Sequence, residues 1–287
     1  MRVTETEVRS ILTRTTGYLK HVTSHSLQPY RGCSFGKSLC GAGCYVQHNH
    51  WLTRGQEWGG FLEVRTNAAQ VYRRQYPTEQ KWARRACGGF SIFLSSSTDP
   101  FVPQEKTFGI TRGLVEAMQD RPPDVLILQT HTHWVGIYCD LYVDLAKQCD
   151  LRFHISIESD RDTLPGLPPP ASTVEQRFEA AAMLHELGLR VVITVSPLLP
   201  IGSPRRFFER IAAIADGVVI DHFIQGDGTP DGSRTLATDL PRAMVEIDPD
   251  SVEIGYRDRM VAIAREIMPG RVGVSGEGFA GRFLAEG

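Results

Sequence analysis

The sequence has no apolar run of the roughly 18 residues that a membrane-spanning helix needs, and Met-Arg-Val-Thr-Glu-Thr-Glu at its start lacks the core of a signal peptide. It also has little net charge, since 31 Lys and Arg residues against 33 Asp and Glu residues give a formal value of −2. Such a balance does not indicate a nucleic-acid or membrane surface as partner. These absences predict a cytoplasmic protein that does not act at a membrane.

Cysteine is scarce, because the 287 residues include only six. This number and its uneven spread exclude the disulfide framework of a small secreted protein, so we expect reduced thiols. Three of the six, Cys33, Cys40 and Cys44, stand close together among glycines and other small residues. Such a loop lets several thiolates converge on one metal centre. Three thiolates are one fewer than a closed zinc site uses, but they suit a [4Fe-4S] cluster that keeps one iron open.

The sequence around these cysteines resembles a known family. QPYRGCSFG at residues 28–36, followed by Cys40 and the pair Cys44-Tyr45, is similar to the motif NPYRGCxHGCxYCY. That motif opens the spore photoproduct lyase-like, or DNA repair photolyase-like, branch of the radical S-adenosylmethionine (SAM) enzymes. The resemblance continues in FLEVRTN at 61–67 and STDPFVPQE at 97–105. One departure is that the cysteine spacing here is Cx6Cx3C, where the superfamily usually has Cx3Cx2C.

The resemblance implies that Cys33, Cys40 and Cys44 bind a [4Fe-4S] cluster whose fourth iron binds the amino and carboxylate groups of SAM. It further implies that one electron cleaves SAM to methionine and a 5′-deoxyadenosyl radical, which abstracts hydrogen from a substrate. The electron would come from a reducing partner such as flavodoxin or ferredoxin. Tyr45 has the place of an aromatic residue that packs on the cluster or the adenine in this family.

The chain after the cysteines alternates short apolar stretches with segments of helical period. Examples are the stretches 90–94, 124–130 and 191–195, each followed by a helical segment. This alternation predicts right-handed βαβ units and a parallel sheet. About six such units predict an α/β fold with a partial (β/α)6 TIM-like barrel, as the resemblance also implies. We expect the barrel over residues 26–225, an N-terminal extension over 1–25 with a short helix near residues 8–12, and a C-terminal extension over 226–287 that packs on the barrel.

The loops after the carboxyl ends of the strands build the active site of parallel α/β barrels. Ser97, Thr98 and Asp99 follow the strand at 90–94, and the resemblance implies that this stretch contacts the amino group of SAM. The alternative for Asp99 is that it caps the next helix. His131 follows the next strand, where the family usually has a lysine suited to the SAM carboxylate, so His131 is a further candidate.

Ser156 and Glu158 end the fourth strand and lie on one face of it, because side chains two apart in a strand point the same way. We predict that both bind SAM, with Glu158 holding the ribose hydroxyls as carboxylates do in other nucleotide sites. The alternative for Glu158 is a solvated ion pair with Arg161.

The remaining chemical candidate is Cys139. In this branch a cysteine after the second strand donates a hydrogen atom to the product radical, and here Ser96 has that place. This difference argues against spore photoproduct repair itself. Cys139 is a candidate for the catalytic hydrogen donor instead, and the alternative is a buried structural cysteine.

The low net charge and the lack of a stripe rich in Lys and Arg favour a small-molecule substrate over a nucleic acid. Two alternative functions remain open from the sequence. One is a nucleic-acid-acting lyase of the spore photoproduct lyase type. The other is a non-catalytic zinc-binding protein in which a histidine such as His48 joins the three cysteines.

Overall fold

A computed structural model describes residues 1–283 of the chain. Its strands are β1 (Arg2–Thr6), β2 (Leu12–Arg14), β3 (His25–Leu27), β4 (Tyr30–Gly32), β5 (Phe61–Arg65), β6 (Ser91–Leu94), β7 (Val125–Thr130), β8 (Asp150–Ser156), β9 (Arg190–Val195), β10 (Gly217–Ile220) and β11 (Val272–Val274). Strands and helices alternate from β5 to β10, as the sequence predicts.

The helices include three long ones, of which two pack on the outside of the main sheet near its ends. The α-helices are α1 (Leu39–Ala42), α2 (His50–Thr53), α3 (Ala68–Cys87), α4 (Glu105–Phe108), α5 (Ile110–Asp120), α6 (Cys139–Ala146), α7 (Val174–Glu186), α8 (Pro204–Ile214), α9 (Phe223–Gly226), α10 (Ser233–Leu236), α11 (Leu240–Ile247), α12 (Ile254–Ile267) and α13 (Ser275–Phe279). Short 3-10 helices span Gly17–His21, Tyr45–His48, His133–Tyr138 and Pro249–Val252. Within residues 1–283, no helix combines the length and the apolar character that crossing a bilayer requires.

The main sheet has eight strands in the order β11-β10-β9-β8-β7-β6-β3-β2. Every neighbouring pair from β3 to β11 is parallel, whereas β2 pairs antiparallel with β3. The strands β2 and β11 are its two edges, so the barrel is open within the described residues. The predicted α/β fold with a partial barrel is confirmed.

The strand that leads into Cys33 lies outside the barrel. β4 pairs with β5, and β5 with β1, in a separate three-stranded sheet. The first barrel strand is β3, and the chain leaves it at Gln28-Pro29, where proline has no N–H for the ladder. Six parallel strands therefore run from β3 through β6 to β10, and β11 from the C-terminal part of the chain adds a seventh.

The short helix predicted near residues 8–12 is wrong, because this part of the chain contains β1, a loop and β2. Side chains of α3 and its first flanking residue satisfy the backbone here. The N–H of Val8 donates to Asn67 Oδ1 at 2.9 Å, and the N–H of Ile11 donates to Gln75 Oε1 at 2.7 Å. A buried backbone N–H needs a partner, and here tertiary contacts supply what a helix would have supplied locally.

The inside of the barrel changes from apolar to polar toward the carboxyl ends of its strands. An apolar layer consists of Phe93, Ile127, Val192 and Val219, covered by Phe279. Side chains two positions further along each strand point the same way. The residues at those positions are Ser95, Gln129, Thr194 and Asp221, all of them buried and polar. The barrel interior therefore has a polar layer of side chains at the strand ends and an apolar layer beneath it.

Glu105 connects the small sheet to the helices of the barrel. Only 1% of its surface is exposed. Its carboxylate accepts hydrogen bonds from the hydroxyls of Tyr30 and Tyr138, the latter at 2.8 Å. It also accepts from the backbone N–H groups of Thr111 and Arg112, each at 3.0 Å. This buried carboxylate thus ties β4, which leads into the cysteine loop, to the start of α5.

We expect Glu105→Gln to lower the free energy of unfolding by about 2 kcal/mol, because the new amide NH₂ group would face donors that now bond to a charged acceptor. Urea denaturation measures this change. Glu116→Gln is the control, since Glu116 is half exposed and pairs with Arg112 on the surface, and its expected effect is below about 0.5 kcal/mol. Equal losses in the two variants would contradict the role of Glu105.

Candidate active site

A cavity of about 400 Å³ opens at the carboxyl ends of the barrel strands. The clustered cysteines and the residues that follow β6, β7 and β8 lie on its wall. The predicted site residues that line it are Cys33, Cys40, Cys44, Tyr45, Ser97, Thr98, Asp99, His131 and Glu158. This end of a parallel sheet is where α/β barrels carry their active sites.

The cysteine loop is held by close contacts between glycines and backbone. A Cβ atom on Gly41 would lie 2.0 Å from the carbonyl oxygen of Phe35, and one on Gly36 would lie 2.2 Å from the Cα of Gly59. Such approaches are open to glycine alone. Residues 37–39, which lengthen the cysteine spacing, form a turn and the start of α1. The longer spacing is thus folded into a helical turn, and all three cysteines still line the cavity.

Cys33 is buried, whereas Cys40 and Cys44 are partly buried. Burial and the neighbouring Cys44 raise the pKa of Cys33 to about 12. Burial, followed by Cys44 and Cys33, raises the pKa of Cys40. Burial raises the pKa of Cys44 to about 11, although two backbone N–H groups and the Trp58 side chain oppose this rise. A bound metal cation reverses this rise in pKa, because a thiol that coordinates a metal loses its proton.

The chemistry of the donor groups on this wall fits an iron–sulfur cluster. Within residues 1–283 no three Cys, His, Asp or Glu side chains are close enough to hold one metal ion together. The cysteine ligands of a [4Fe-4S] cluster each bind a different iron, so they line a cavity rather than meet at a point. The buried Nε1 of Trp58 is on the same wall and has no hydrogen-bond partner among the described residues. Thiols and a free N–H donor suit a group made of iron and sulfide.

The residues after β6 hold the loops around the cavity together. The hydroxyl of Thr98 donates to the carbonyl oxygen of Gly32 at 2.8 Å. The carboxylate of Asp99 accepts from the backbone N–H groups of Phe101 at 2.8 Å and His131 at 2.7 Å. Burial raises the pKa of Asp99. Asp99 therefore stabilises the turn that follows it and fixes the chain at the end of β7. It does not cap the next helix, because the N-cap position of α4 is Gln104.

His131, Glu158 and Arg177 form a chain of polar contacts beside the cysteines. His131 Nδ1 lies 2.9 Å from one oxygen of Glu158, and Arg177 donates to the other oxygen at 2.6 Å. Burial opposes the ionisation of Glu158, but Arg177 and His131 outweigh it and lower its pKa to about 2. The solvated pair with Arg161 offered as an alternative is wrong, because Glu158 is buried and its ion pair is with Arg177.

Arg177 was missed from the sequence, although it lines the cavity and only 3% of it is exposed. It also donates to the carbonyl oxygen of Ser156 at 2.6 Å. The sequence does contain a signal for its burial. Arg177 lies at the spacing of one buried helix face, together with Val174, Phe178 and Ala181. An arginine in such an apolar stripe needs a buried partner.

Ser156 lies behind the cavity wall rather than on it. Its hydroxyl is 2.6 Å from Gln129 Nε2 and 3.0 Å from the hydroxyl of Thr194. These two contacts fix the amide of Gln129, which does line the cavity. Gln129 Oε1 and the Ser95 hydroxyl are both buried and have no partner among the described residues. The polar layer at the strand ends therefore offers these two atoms to a ligand, and Ser156 orients the amide of Gln129.

Cys139, the predicted hydrogen donor, lies at the start of α6 and does not line the cavity. Its thiol contacts the carbonyl oxygen of Gly136 at 3.1 Å, and its side chain packs against the core. This is the position expected of a structural cysteine.

Segments before β3 and after β10 contact Asp221, which lines the cavity. The hydroxyl of Tyr18 donates to Asp221 at 3.1 Å, and the hydroxyl of Ser275 donates to the other carboxylate oxygen at 2.6 Å. Burial raises the pKa of Asp221, which follows β10. The segments before β3 and after β10 thus complete the cavity.

No protein-family model matches the chain. It is 27% identical over 208 residues to the radical SAM Nα-GlyT isomerase of Pseudomonas phage M6, a match that covers 69% of this chain and 39% of that protein. It is 23% identical over 175 residues to an uncharacterized protein of Methanocaldococcus jannaschii, covering 61% of this chain and 60% of the relative. The chain thus matches less than two thirds of the length of each of these relatives.

The fold is similar to that of a solved spore photoproduct lyase mutant with dinucleoside spore photoproduct. The TM-score is 0.64 at 16% identity, and the match covers 95% of this chain and 80% of that one. The chain is thus similar in sequence to a radical SAM enzyme and in fold to a spore photoproduct lyase. These similarities confirm the resemblance drawn from its cysteine motif.

The pairing of Glu158 predicts a pH-dependent contribution to stability. Its pKa is about 2 in the folded chain against an ordinary value of 4.5. A lowered pKa stabilises the folded state above the ordinary value, and this stabilisation is lost as the pH falls through the folded value. We expect Glu158→Gln to lower the free energy of unfolding near pH 7 by about 3 kcal/mol.

Urea denaturation of wild type and Glu158→Gln near pH 7 and near pH 3 measures this contribution. The difference between the two proteins should shrink at the lower pH, because unfolded wild type takes up a proton at Glu158 below the ordinary pKa of 4.5, whereas the folded protein stays largely ionised there until the pH falls to about 2. Glu186→Gln, on the exposed side of α7, should match wild type at both values. A difference that does not change with pH would contradict the pairing.

Proposed function

We propose that the chain uses a [4Fe-4S] cluster, bound by Cys33, Cys40 and Cys44, to cleave SAM and start radical chemistry on a substrate. The observation that carries this proposal is that the three thiols and the residues ending β6, β7 and β8 line the same cavity. Cluster and SAM, when bound, supply the electron transfer and the 5′-deoxyadenosyl radical. The protein binds and orients these groups and keeps water away from them.

We propose that His131 contacts the carboxylate of SAM, in the place where the family has a lysine. Because Glu158 is ionised, it accepts a hydrogen bond from Nδ1–H of His131. This contact fixes the ring, which lines the cavity. Glu158 retains lone pairs for the ribose hydroxyls, since each carboxylate oxygen accepts more than one hydrogen bond.

The other walls of the cavity are apolar and suit the exclusion of water. Tyr45, Leu199, Phe223 and Phe279 line it around the polar residues. A dry site prevents side reactions of a reactive intermediate. Tyr45 directly follows the last cysteine, so we propose that its ring covers the cluster or the adenine.

We propose a small, largely neutral substrate. No lysine lines the cavity, and of its two arginines Arg177 is paired with Glu158, while Arg234 donates to the carbonyl oxygen of Asp227 at 3.2 Å. Phosphate groups are recognised by free Arg and Lys side chains, so this wall favours an uncharged ligand.

A nucleic-acid substrate is the second candidate. The solved structure with the similar fold contains a dinucleoside spore photoproduct, and the phage relative is named for Nα-GlyT. Fluorescence anisotropy with a labelled single-stranded oligonucleotide at about 150 mM salt distinguishes the candidates. Retained binding at that salt would favour the nucleic acid, and loss of binding would favour the small molecule.

Anaerobic incubation with SAM and dithionite tests the main proposal directly. We expect wild type to form 5′-deoxyadenosine and the Cys33→Ala/Cys40→Ala/Cys44→Ala variant to form none. Cys87→Ala is the matched control, since Cys87 is exposed at the end of α3, and it should match wild type. Product formation in the triple variant would overturn the assignment of the ligands.

Elemental analysis of the same preparations tests the zinc-binding alternative. Iron and sulfide in equal amounts support the cluster, because [4Fe-4S] contains them one to one. Zinc without iron or sulfide would instead support a structural site in which a histidine such as His48 joins the cysteines.

A further inference from the structure

Trp58 has a buried hydrogen-bond donor that the fold leaves unused. Its Nε1 is inaccessible to solvent and has no partner among the described residues. The same side chain lines the cavity with the three cysteines. The indole N–H is therefore a buried donor on the wall that carries the three thiols, and its acceptor is left to a group bound in the cavity.

The backbone fixes Trp58 in this place. The next residue, Gly59, has a φ of +83° and meets Gly36 so closely that a Cβ on Gly59 would lie 2.5 Å from the Gly36 Cα. The segment after Trp58 is therefore pinned across the cysteine loop. On its other side the indole ring packs edge-on against Phe61, with ring centroids 6.4 Å apart. These contacts position the N–H, and a phenyl ring could provide the packing without it.

An unpaired buried N–H lowers the stability of a fold by about 1–3 kcal/mol. An N–H group that stays unpaired in the folded chain therefore indicates that a bound group supplies its acceptor. A neutral thiol is a weak acceptor, whereas a charged sulfur takes a much stronger hydrogen bond. A cysteine thiol becomes such a charged sulfur when it binds iron. Hydrogen bonds to the sulfurs are among the factors that set the potential of an iron–sulfur cluster. Since reduction adds negative charge, a donor stabilises the reduced form more and raises the potential.

We propose that the Trp58 indole N–H donates a hydrogen bond to a metal-bound cysteine sulfur of the loop and makes the cluster easier to reduce. This inference rests on the proposed function, because it requires the cluster. It makes Trp58 a positioning and tuning residue, which neither the family motif nor the relatives assign.

Trp58→Phe tests this role, because phenylalanine retains an aromatic ring and removes the donor. Trp51→Phe is the matched control, since Trp51 lies in the same connection between cysteines and β5 but is 90% exposed. Both variants and wild type are reconstituted anaerobically, and redox titrations are followed by the EPR signal of the reduced cluster. At the potential where wild type is half reduced, we expect about a tenfold lower ratio of reduced to oxidised cluster in Trp58→Phe, which for one electron is about 59 mV.

A second measurement uses pulsed EPR of the reduced cluster in proteins with ¹⁵N-labelled indole. Wild type and Trp51→Phe should show a ¹⁵N coupling and Trp58→Phe should lose it, and because the label enters all four tryptophans, this loss assigns the coupling to Trp58. Equal potentials in Trp58→Phe and wild type, or no ¹⁵N coupling in wild type, would overturn the inference and leave the proposed function intact. A wild-type protein that binds no iron would overturn both.

Discussion

The close backbone contacts of the cysteine loop are the constraint on which the site depends. Glycine at positions 36, 41 and 59 lets three segments of chain lie nearer to one another than any side chain would permit. As a result a loop with an unusually long cysteine spacing still places its three thiols on one cavity wall. The same contacts hold Trp58, which precedes Gly59, on the wall that carries the cysteines. The chemistry of the loop follows from backbone packing as much as from its cysteines.

The loop and the barrel are joined by buried polar groups. The hydroxyl of Thr98 reaches the backbone of Gly32 just before the first cysteine, and Glu105 joins β4 to α5. Asp99 in turn fixes the backbone of His131, whose ring contacts Glu158. These contacts join the loops at the strand ends to one another, so the loops keep one common geometry.

Features set by local patterns could be predicted from the sequence. The parallel strands follow from apolar stretches between helical segments, and the loop followed from its cysteines and glycines. Features set by distant partners could not be predicted. Residues 8–12 have a helix-like pattern, but Asn67 and Gln75 satisfy their backbone instead. Arg177 lies in an apolar helix face because its partner Glu158 comes from another element, so its role is visible only in three dimensions.

The most direct test of the central claim is the EPR spectrum of the anaerobically reconstituted, dithionite-reduced protein before and after SAM is added. Three cysteine ligands leave one iron open, so we predict a reduced-cluster signal that changes when SAM binds. Loss of the signal in the variant lacking Cys33, Cys40 and Cys44 would agree with this. A signal that does not respond to SAM, or a protein that retains zinc and no iron, would contradict the account.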